Sequence, residues 1–446
     1  MANRVPSRIL LVPGPARRMY PTESETSRRA ALVAVQRPDV DDAEFVASLA
    51  ELRRLAKTLG LEVAGTCTQR RAAFDPGTYL GSGKLAELKT LVADGTVDTV
   101  LVDHEITPSQ ARNLEKATGA VVMDRTAVIL EIFHRHAHSR AARAQVEMVR
   151  LQYMAPRLRE QGAGRDRQRG GIGGRGAGES NLELDRRKIR DRVAELAAEL
   201  AVLDQERRTQ RARRRDLARV ALVGYTNAGK STLMRALTGS DVYVADKLFA
   251  TLETTVRTLV PETRPRILVS DTVGFIKKLP HGLVASFKST LAEALEASLL
   301  AHVVDASDPG FVRQLEVTAE VLAEIGAGDV PRLLVFNKID RVGDEAARRE
   351  RAAALRERWP GALVMSGKDP ADVARLHAAL AAFFGRDLVE AELRVPWDRQ
   401  QLRGEIFAAC EVVEERAEAD AAVFRVRAHP DTIARLETAG GGRQEA

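Results

Sequence analysis

From Ala30 onward, short apolar runs alternate with longer amphipathic stretches. Ala31–Val35, Val97–Val102 and Ala120–Met123 have the length and apolar content of strands, whereas Ala43–Leu59, Pro108–Thr118 and Thr126–His138 carry helical spacing. This alternation predicts a small α/β domain with a parallel sheet over residues 29–139. It follows a polar, flexible segment, 1–28.

The period then changes. Ala141–Tyr153 continues as helix until Pro156 stops it. In the next helical stretch Ile189, Val193, Leu196, Leu200 and Leu203 are spaced four, three, four, three, the pattern of a coiled-coil seam. Ala144, Met148 and Leu151 offer a matching stripe. An antiparallel helical hairpin over 140–215 is expected, its tip the Arg/Gly-rich tract 157–178, where glycine density forbids a stable helix. A second α/β pattern, expected to fold as a doubly wound sheet, occupies 216–388. A small α+β unit closes the chain at 389–446, with strands at Glu392–Val395 and Ala422–Val426 and helices at Gln400–Ala409 and Asp431–Leu436. No internal repeat of 20–50 residues is present.

Composition narrows the class. At 446 residues the chain is too long for one ordinary domain, and 45% hydrophobic content suffices for real cores. No apolar run reaches the ~18 residues of a membrane span. No signal peptide is read at the N-terminus. The two cysteines, Cys67 and Cys410, form neither a disulfide framework nor a metal motif, so a cytoplasmic location is expected, with room for a peripheral membrane fraction. The net charge of +6 matters through its placement: Arg165, Arg167, Arg169 and Arg175 concentrate on the expected hairpin tip, where a flexible cationic loop suits RNA phosphates.

The chemistry-bearing signals fall at strand ends. Gly224-Tyr225-Thr226-Asn227-Ala228-Gly229-Lys230-Ser231 fits G-x-x-x-x-G-K-[ST], follows the apolar run Val220–Val223 and opens a helix with Thr232. Its backbone N–H groups would wrap phosphates at a helix N-terminus, Lys230 would reach the β- and γ-phosphates, and Ser231 would ligate Mg2+. The guanine choice comes from Asn337-Lys338-Ile339-Asp340 after the strand Leu333–Phe336. Asp340 can accept the N1–H and 2-amino protons of guanine, a donor pair adenine lacks. Lys338 would pack over the base and Asn337 would tie the loops together.

Asp271-Thr272-Val273-Gly274 ends the strand Ile267–Ser270. Asp271 would bind Mg2+ through water, and Gly274 would offer its N–H to the γ-phosphate. Phe249-Ala250-Thr251-Leu252-Glu253 reads as a switch, with Thr251 the first candidate for a second metal-ligating hydroxyl and Thr254 and Thr255 as competitors. Ser366-Gly367-Lys368 would support the base. Lys230, Thr251 and Gly274 are the candidate catalytic contacts. No general base is assigned, because Phe275 stands where many GTPases place a water-orienting glutamine. Slow intrinsic hydrolysis, stimulated by a partner, is expected.

Beyond these shared motifs, the chain closely resembles the HflX GTPases. The resemblance rests on Tyr79-Leu80-Gly81-Ser82-Gly83-Lys84, on Asp103 to Glu115, and on Asp124-Arg125-Thr126. Gln145-Val146-Glu147, Tyr153, Gly173 to Glu179 and Asp185 to Arg190 complete it. Departures are Glu253-Thr254-Thr255-Val256-Arg257 in place of the family's Asp-Pro-Thr-Thr-Arg, Ala177 where the loop motif has Pro, and Gly367 where Ala is usual. The resemblance implies a GTPase that binds the large ribosomal subunit and its rRNA and splits or rescues stalled ribosomes, the hairpin tip entering the peptidyl-transferase region. GTP and GDP are the expected ligands, Mg2+ the cofactor, and a monomer the expected state. Rival readings are a ribosome-assembly or tRNA-related GTPase and a GTP-sensing regulatory module. An ATP-driven RNA remodeller is disfavoured by Asp340. His134, His136 and His138 lack a third ligand at metal-site spacing and are read as a polar helix end.

Overall fold

The structure, a computed structural model, describes residues 28–95, 97–158, 181–212, 217–240, 248–249, 251–252, 254–264, 266–277 and 293–440. It divides into two compact units between Ile129 and Leu130.

The first unit holds a parallel four-stranded sheet of β1 (Arg28–Gln36), β2 (Leu61–Arg70), β3 (Thr99–Val102) and β4 (Val121–Asp124), in the order β2-β1-β3-β4. β1 is central and buried from Ala30 to Val35, which is why it reads as an unbroken apolar run. Helices α1 (Asp42–Thr58), α2 (Ser82–Asp94) and α3 (Pro108–Thr118) connect the strands. Local signals set their ends. Asp41 accepts from Glu44 N at the start of α1, and Thr107 and Gln110 form a capping box before α3, with Pro108 in its first turn and left-handed Gly119 closing it. Arg125 is buried with Asp103 (2.7 Å) and Glu51, a charge network whose members would each be costly to strand alone.

Helix α4 (Arg125–His136) ends earlier than its pattern suggests, and α5 (Arg140–Met154) starts anew. Ser139 explains the break: its side chain caps Ala142 N at 3.2 Å, so the chain is not one continuous helix. The expected stop at Pro156 is a 3-10 turn, Ala155–Arg157. α6 (Asn181–Ala212) runs antiparallel to α5. Arg192 Nε meets Glu147 at 3.0 Å, and seven residues on in α6 and seven back in α5, Glu199 pairs with Arg140. Leu196 of the expected seam is buried, and Ile189, Val193, Leu200 and Leu203 are half-buried. Residues 159–180, and with them Arg165, Arg167, Arg169 and Arg175, lie outside the described residues.

The large sheet comprises β5 (Ala218–Gly224), β6 (Thr255–Thr258), β7 (Ile267–Asp271), β8 (Leu299–Asp305), β9 (Arg332–Asn337) and β10 (Leu363–Val364). Its order is β10-β9-β8-β5-β7-β6, parallel except for β6. Helices α7 (Lys230–Thr238), α8 (Phe311–Ile325), α9 (Glu345–Arg358) and α10 (Pro370–Gly385) cover it. Leu233, Met234, Leu237, Leu376 and Leu380 pack on one face and Phe311 and Leu355 on the other, the doubly wound arrangement expected. The last sheet, β11 (Val389–Pro396), β12 (Glu411–Ala417) and β13 (Ala421–Ala428), is antiparallel in the order β11-β13-β12. α11 (Gln401–Ala409) and α12 (Pro430–Gly440) bury Leu402, Ile406, Ile433 and Leu436 against it.

Candidate functional site

The carboxyl ends of β5, β7, β8, β9 and β10 bring the sequence motifs together, as an open α/β sheet does at its ligand crevice. Two glycines shape the first loop. Gly224 has φ +144°, and a Cβ there would lie 2.2 Å from Val303 O; Gly229 has φ +100°, and a Cβ would lie 2.3 Å from Asn337 Nδ2. Neither position has room for a side chain.

Lys230 opens α7 and is buried. Its ammonium donates to Gly224 O (3.1 Å) and Tyr225 O (3.0 Å). Burial lowers its pKa to about 8, with Asp271 pulling it up and Lys338 pushing it down. Asp271, fully buried, is shifted the opposite way by the same cause, against the pull of Lys230 and of its hydroxyl partners. In both groups burial outweighs the attraction of the facing partner.

Ser231, Thr251 and Asp271 converge. Ser231 Oγ donates to Asp271 Oδ2 at 2.7 Å and lies 2.7 Å from Thr251 Oγ1, which is 3.0 Å from Asp271 Oδ2. Of the three candidate threonines, Thr251 thus meets the other two oxygen donors, while Thr255 opens β6. Asp271 Oδ1 is buried without a hydrogen-bond partner among the described residues. Two hydroxyls and a carboxylate with an orphaned oxygen make a donor set suited to a hard divalent cation. Ala250 and Glu253 lie outside the described residues.

The segment after β7 is zipped to the phosphate-loop segment. Thr226 N donates to Phe275 O (2.6 Å), and Phe275 N donates to Gly224 O (3.1 Å). Gly274 fits because a Cβ there would lie 2.6 Å from Thr226 Cα. Thr272 Oγ1 caps Leu222 O, and Val273 is buried beside it. Phe249, at φ 57°, donates its N–H to Thr226 Oγ1 and sets its ring edge-on to Phe133 of α4 at 4.6 Å.

At the other end Asn337 ties three loops: Nδ2 donates to Ala228 O (3.0 Å), and Oδ1 accepts from Gly367 N (2.8 Å). Asp340 Oδ1 accepts from Ser366 Oγ at 2.7 Å. Ile339 N reaches Met365 O, and Lys368 N reaches Ser366 Oγ. Gly367 is snug, since an added Cβ would press on Leu233 Cδ2 at 2.9 Å. Within the phosphate-loop motif, the Tyr225 hydroxyl accepts from Lys277 N at 2.7 Å. Two residues the motif reading did not single out also take part: Asp372 accepts from Ser366 N at 2.6 Å, and Asp305 pairs with Lys338 Nζ at 2.9 Å. A strand-end acid beside the N-K-x-D strand was the available signal for Asp305.

Elsewhere, Cys67 and Cys410 are buried free thiols whose pKa burial raises to about 11, which makes them unreactive. No metal-holding cluster of His, Cys, Asp and Glu occurs among the described residues, and no helix among them is long and apolar enough to cross a membrane.

Comparison with known proteins gives matches along most of the chain. Three family models match: "GTP-binding GTPase N-terminal" over 46–134, "GTP-binding GTPase Middle Region" over 136–214, and "50S ribosome-binding GTPase" over 219–338. The chain is 55% identical to GTPase HflX of Gluconacetobacter diazotrophicus over 444 residues, covering 92% of this chain and 97% of that one. It is 47% identical to GTPase HflX of Caldanaerobacter subterraneus subsp. tengcongensis over 314 residues, covering 70% and 72%. Among solved structures it is similar to a GTP-binding protein from the archaeon Sulfolobus solfataricus in complex with GDP, at 23% identity and a TM-score of 0.42, over 79% of this chain and 99% of that one.

Proposed function

This chain belongs to the HflX family of GTPases, and on that premise we propose that it hydrolyses GTP on the large ribosomal subunit to split or rescue stalled ribosomes. The observation that carries the nucleotide part is the convergence of Ser231, Thr251 and Asp271 beside Lys230, with Asp340 held by Ser366 at the neighbouring strand ends.

In this reading the loop Gly224–Ser231 wraps the phosphates with its N–H groups, and Lys230 offsets their charge. Ser231 and Thr251, with Asp271 through water, would hold Mg2+, which would neutralise charge on the β- and γ-phosphate oxygens. The N–H of Gly274 meets the γ-phosphate, so loss of that phosphate frees the segment zipped to Tyr225. Asp340 accepts the two guanine donors while Ser366 holds the carboxylate in place, and Asn337 and Gly367 keep the base loops in register. Phe275 is buried and cannot orient water, which supports slow turnover by the isolated protein.

The ribosome part rests on the hairpin and on the family description as a 50S ribosome-binding GTPase. Two ion pairs one heptad apart brace α5 against α6, a stiff arm for the Arg/Gly tract between them. The test is GTP turnover with and without large subunits, with ATP and Lys230→Ala as controls. Strong GTP-specific stimulation, lost when residues 159–180 are deleted while GTP binding persists, is the expected result. Turnover indifferent to subunits would redirect the function to assembly or signalling.

A further inference from the structure

Asp305 is the last residue of β8 and stands in register with Asn337, the last residue of β9. Its two carboxylate oxygens have separate partners. Oδ1 accepts from Ser307 N (3.0 Å) and Ser307 Oγ (2.6 Å), a turn that fixes the carboxylate plane. Oδ2 accepts from Lys338 Nζ at 2.9 Å. The same ammonium donates to Asn227 O of the phosphate-loop segment. Lys338 and Asn227 both have left-handed backbones, φ 61° and 62°, unusual for residues with side chains and typical of functional loops. The lysine side chain is thus stretched between a carboxylate on β8 and a carbonyl on the loop after β5. With side chains only 12% and 16% exposed, Lys338 and Asp305 form a shielded pair, unlike the exposed pairs of α9.

We propose that Asp305 is a positioning residue that holds Lys338 extended as the surface on which the guanine base lies, and so sets affinity for guanine nucleotides. This rests on reading Asn337–Asp340 as the base-recognition segment. A lysine free to turn would lose rotamer freedom on each binding event; one already fixed loses little, and the gain appears as slower nucleotide release.

The experiment measures release of a fluorescent GDP analogue and steady-state GTP turnover. Asp305→Asn keeps the Oδ1 acceptor for Ser307 and removes the charge facing Lys338. It should weaken GDP binding about tenfold, mostly through faster release, with kcat at saturating GTP within about twofold of wild type. Lys338→Met keeps the methylenes and should weaken binding to a similar degree. The double variant should be no weaker than the worse single one, because both remove one interaction. Wild-type release from Asp305→Asn, a loss confined to kcat, or additive losses in the double variant would each overturn the proposal. Asp340→Asn separates the underlying reading, since a carboxamide donates where guanine also donates. Guanine affinity should collapse and xanthine nucleotide binding should appear. If Asp340→Asn keeps its guanine preference, the base-recognition reading fails whatever Asp305 does.

Discussion

The Tyr225 hydroxyl accepts the backbone N–H of Lys277 at 2.7 Å, so a phosphate-loop side chain holds the segment that leaves β7. Together with the two hydrogen bonds joining Phe275 to Gly224 and Thr226, this fixes the path of the chain just after Gly274. In a protein with no water-orienting side chain at position 275, the backbone around it carries the geometry.

Tyr225→Phe keeps the ring and removes that bond. We expect a stability loss of about 1 kcal/mol and a several-fold fall in single-turnover GTP hydrolysis, with GDP affinity within about twofold of wild type. A matching loss of affinity and rate would mean that the tyrosine supports the nucleotide loop as a whole.

The donor set at Asp271 predicts magnesium dependence with a definite address. Adding Mg2+ should tighten GDP binding to the wild type by about tenfold or more, roughly 1.4 kcal/mol. Ser231→Ala should flatten that response. Titration calorimetry with and without EDTA reads it directly, and an unchanged response in the variant would remove Ser231 from the metal site.

Two glycines in left-handed backbone should behave differently. Gly224→Ala drives a Cβ to within 2.2 Å of the Val303 carbonyl and should cost upwards of about 4 kcal/mol. Gly239, at φ +61° with open space around it, should cost about 1–2 kcal/mol as Ala, the conformational penalty alone. Urea unfolding of the two variants checks the contrast, and equal losses would contradict the steric argument.

His302, 2% exposed in β8, is held near pKa 3 by burial first and then by the charges of Arg332 and Lys230. An ordinary histidine titrates at 6.5, so between these values the unfolded chain binds the extra proton and stability falls as pH falls. The slope approaches about 1.4 kcal/mol per pH unit below pH 6.5, so the wild type should lose about 1.6 kcal/mol from this group between pH 6.5 and 5. His302→Leu should not lose that increment. Parallel slopes in the two proteins' unfolding curves would show that His302 is not the source.

Legibility in the sequence followed local physics. β1, β5 and β9 were plain because both faces of a central parallel strand are buried, leaving continuous apolar runs. β2 and β12 sit at sheet edges and expose much of their length, so polar residues such as Thr66, Gln69, Glu414 and Glu415 break any period. α2 is likewise faint in the sequence, since its start at Ser82 follows an uncapped Gly81 and places Gly83 in the first turn.

By itself the sequence determined the loop glycines, the lysine and hydroxyl that follow them, the N-K-x-D tetrapeptide and the hairpin seam. Each is a short-range requirement: a backbone angle, a helix start, a heptad. Tertiary structure decided which of the threonines meets Asp271, that Tyr225 reaches across to Lys277, and that Asp305 faces Lys338. Those partners are 20, 52 and 33 residues apart in the chain and become neighbours because strands β7, β5, β8 and β9 lie side by side, their carboxyl ends at one edge.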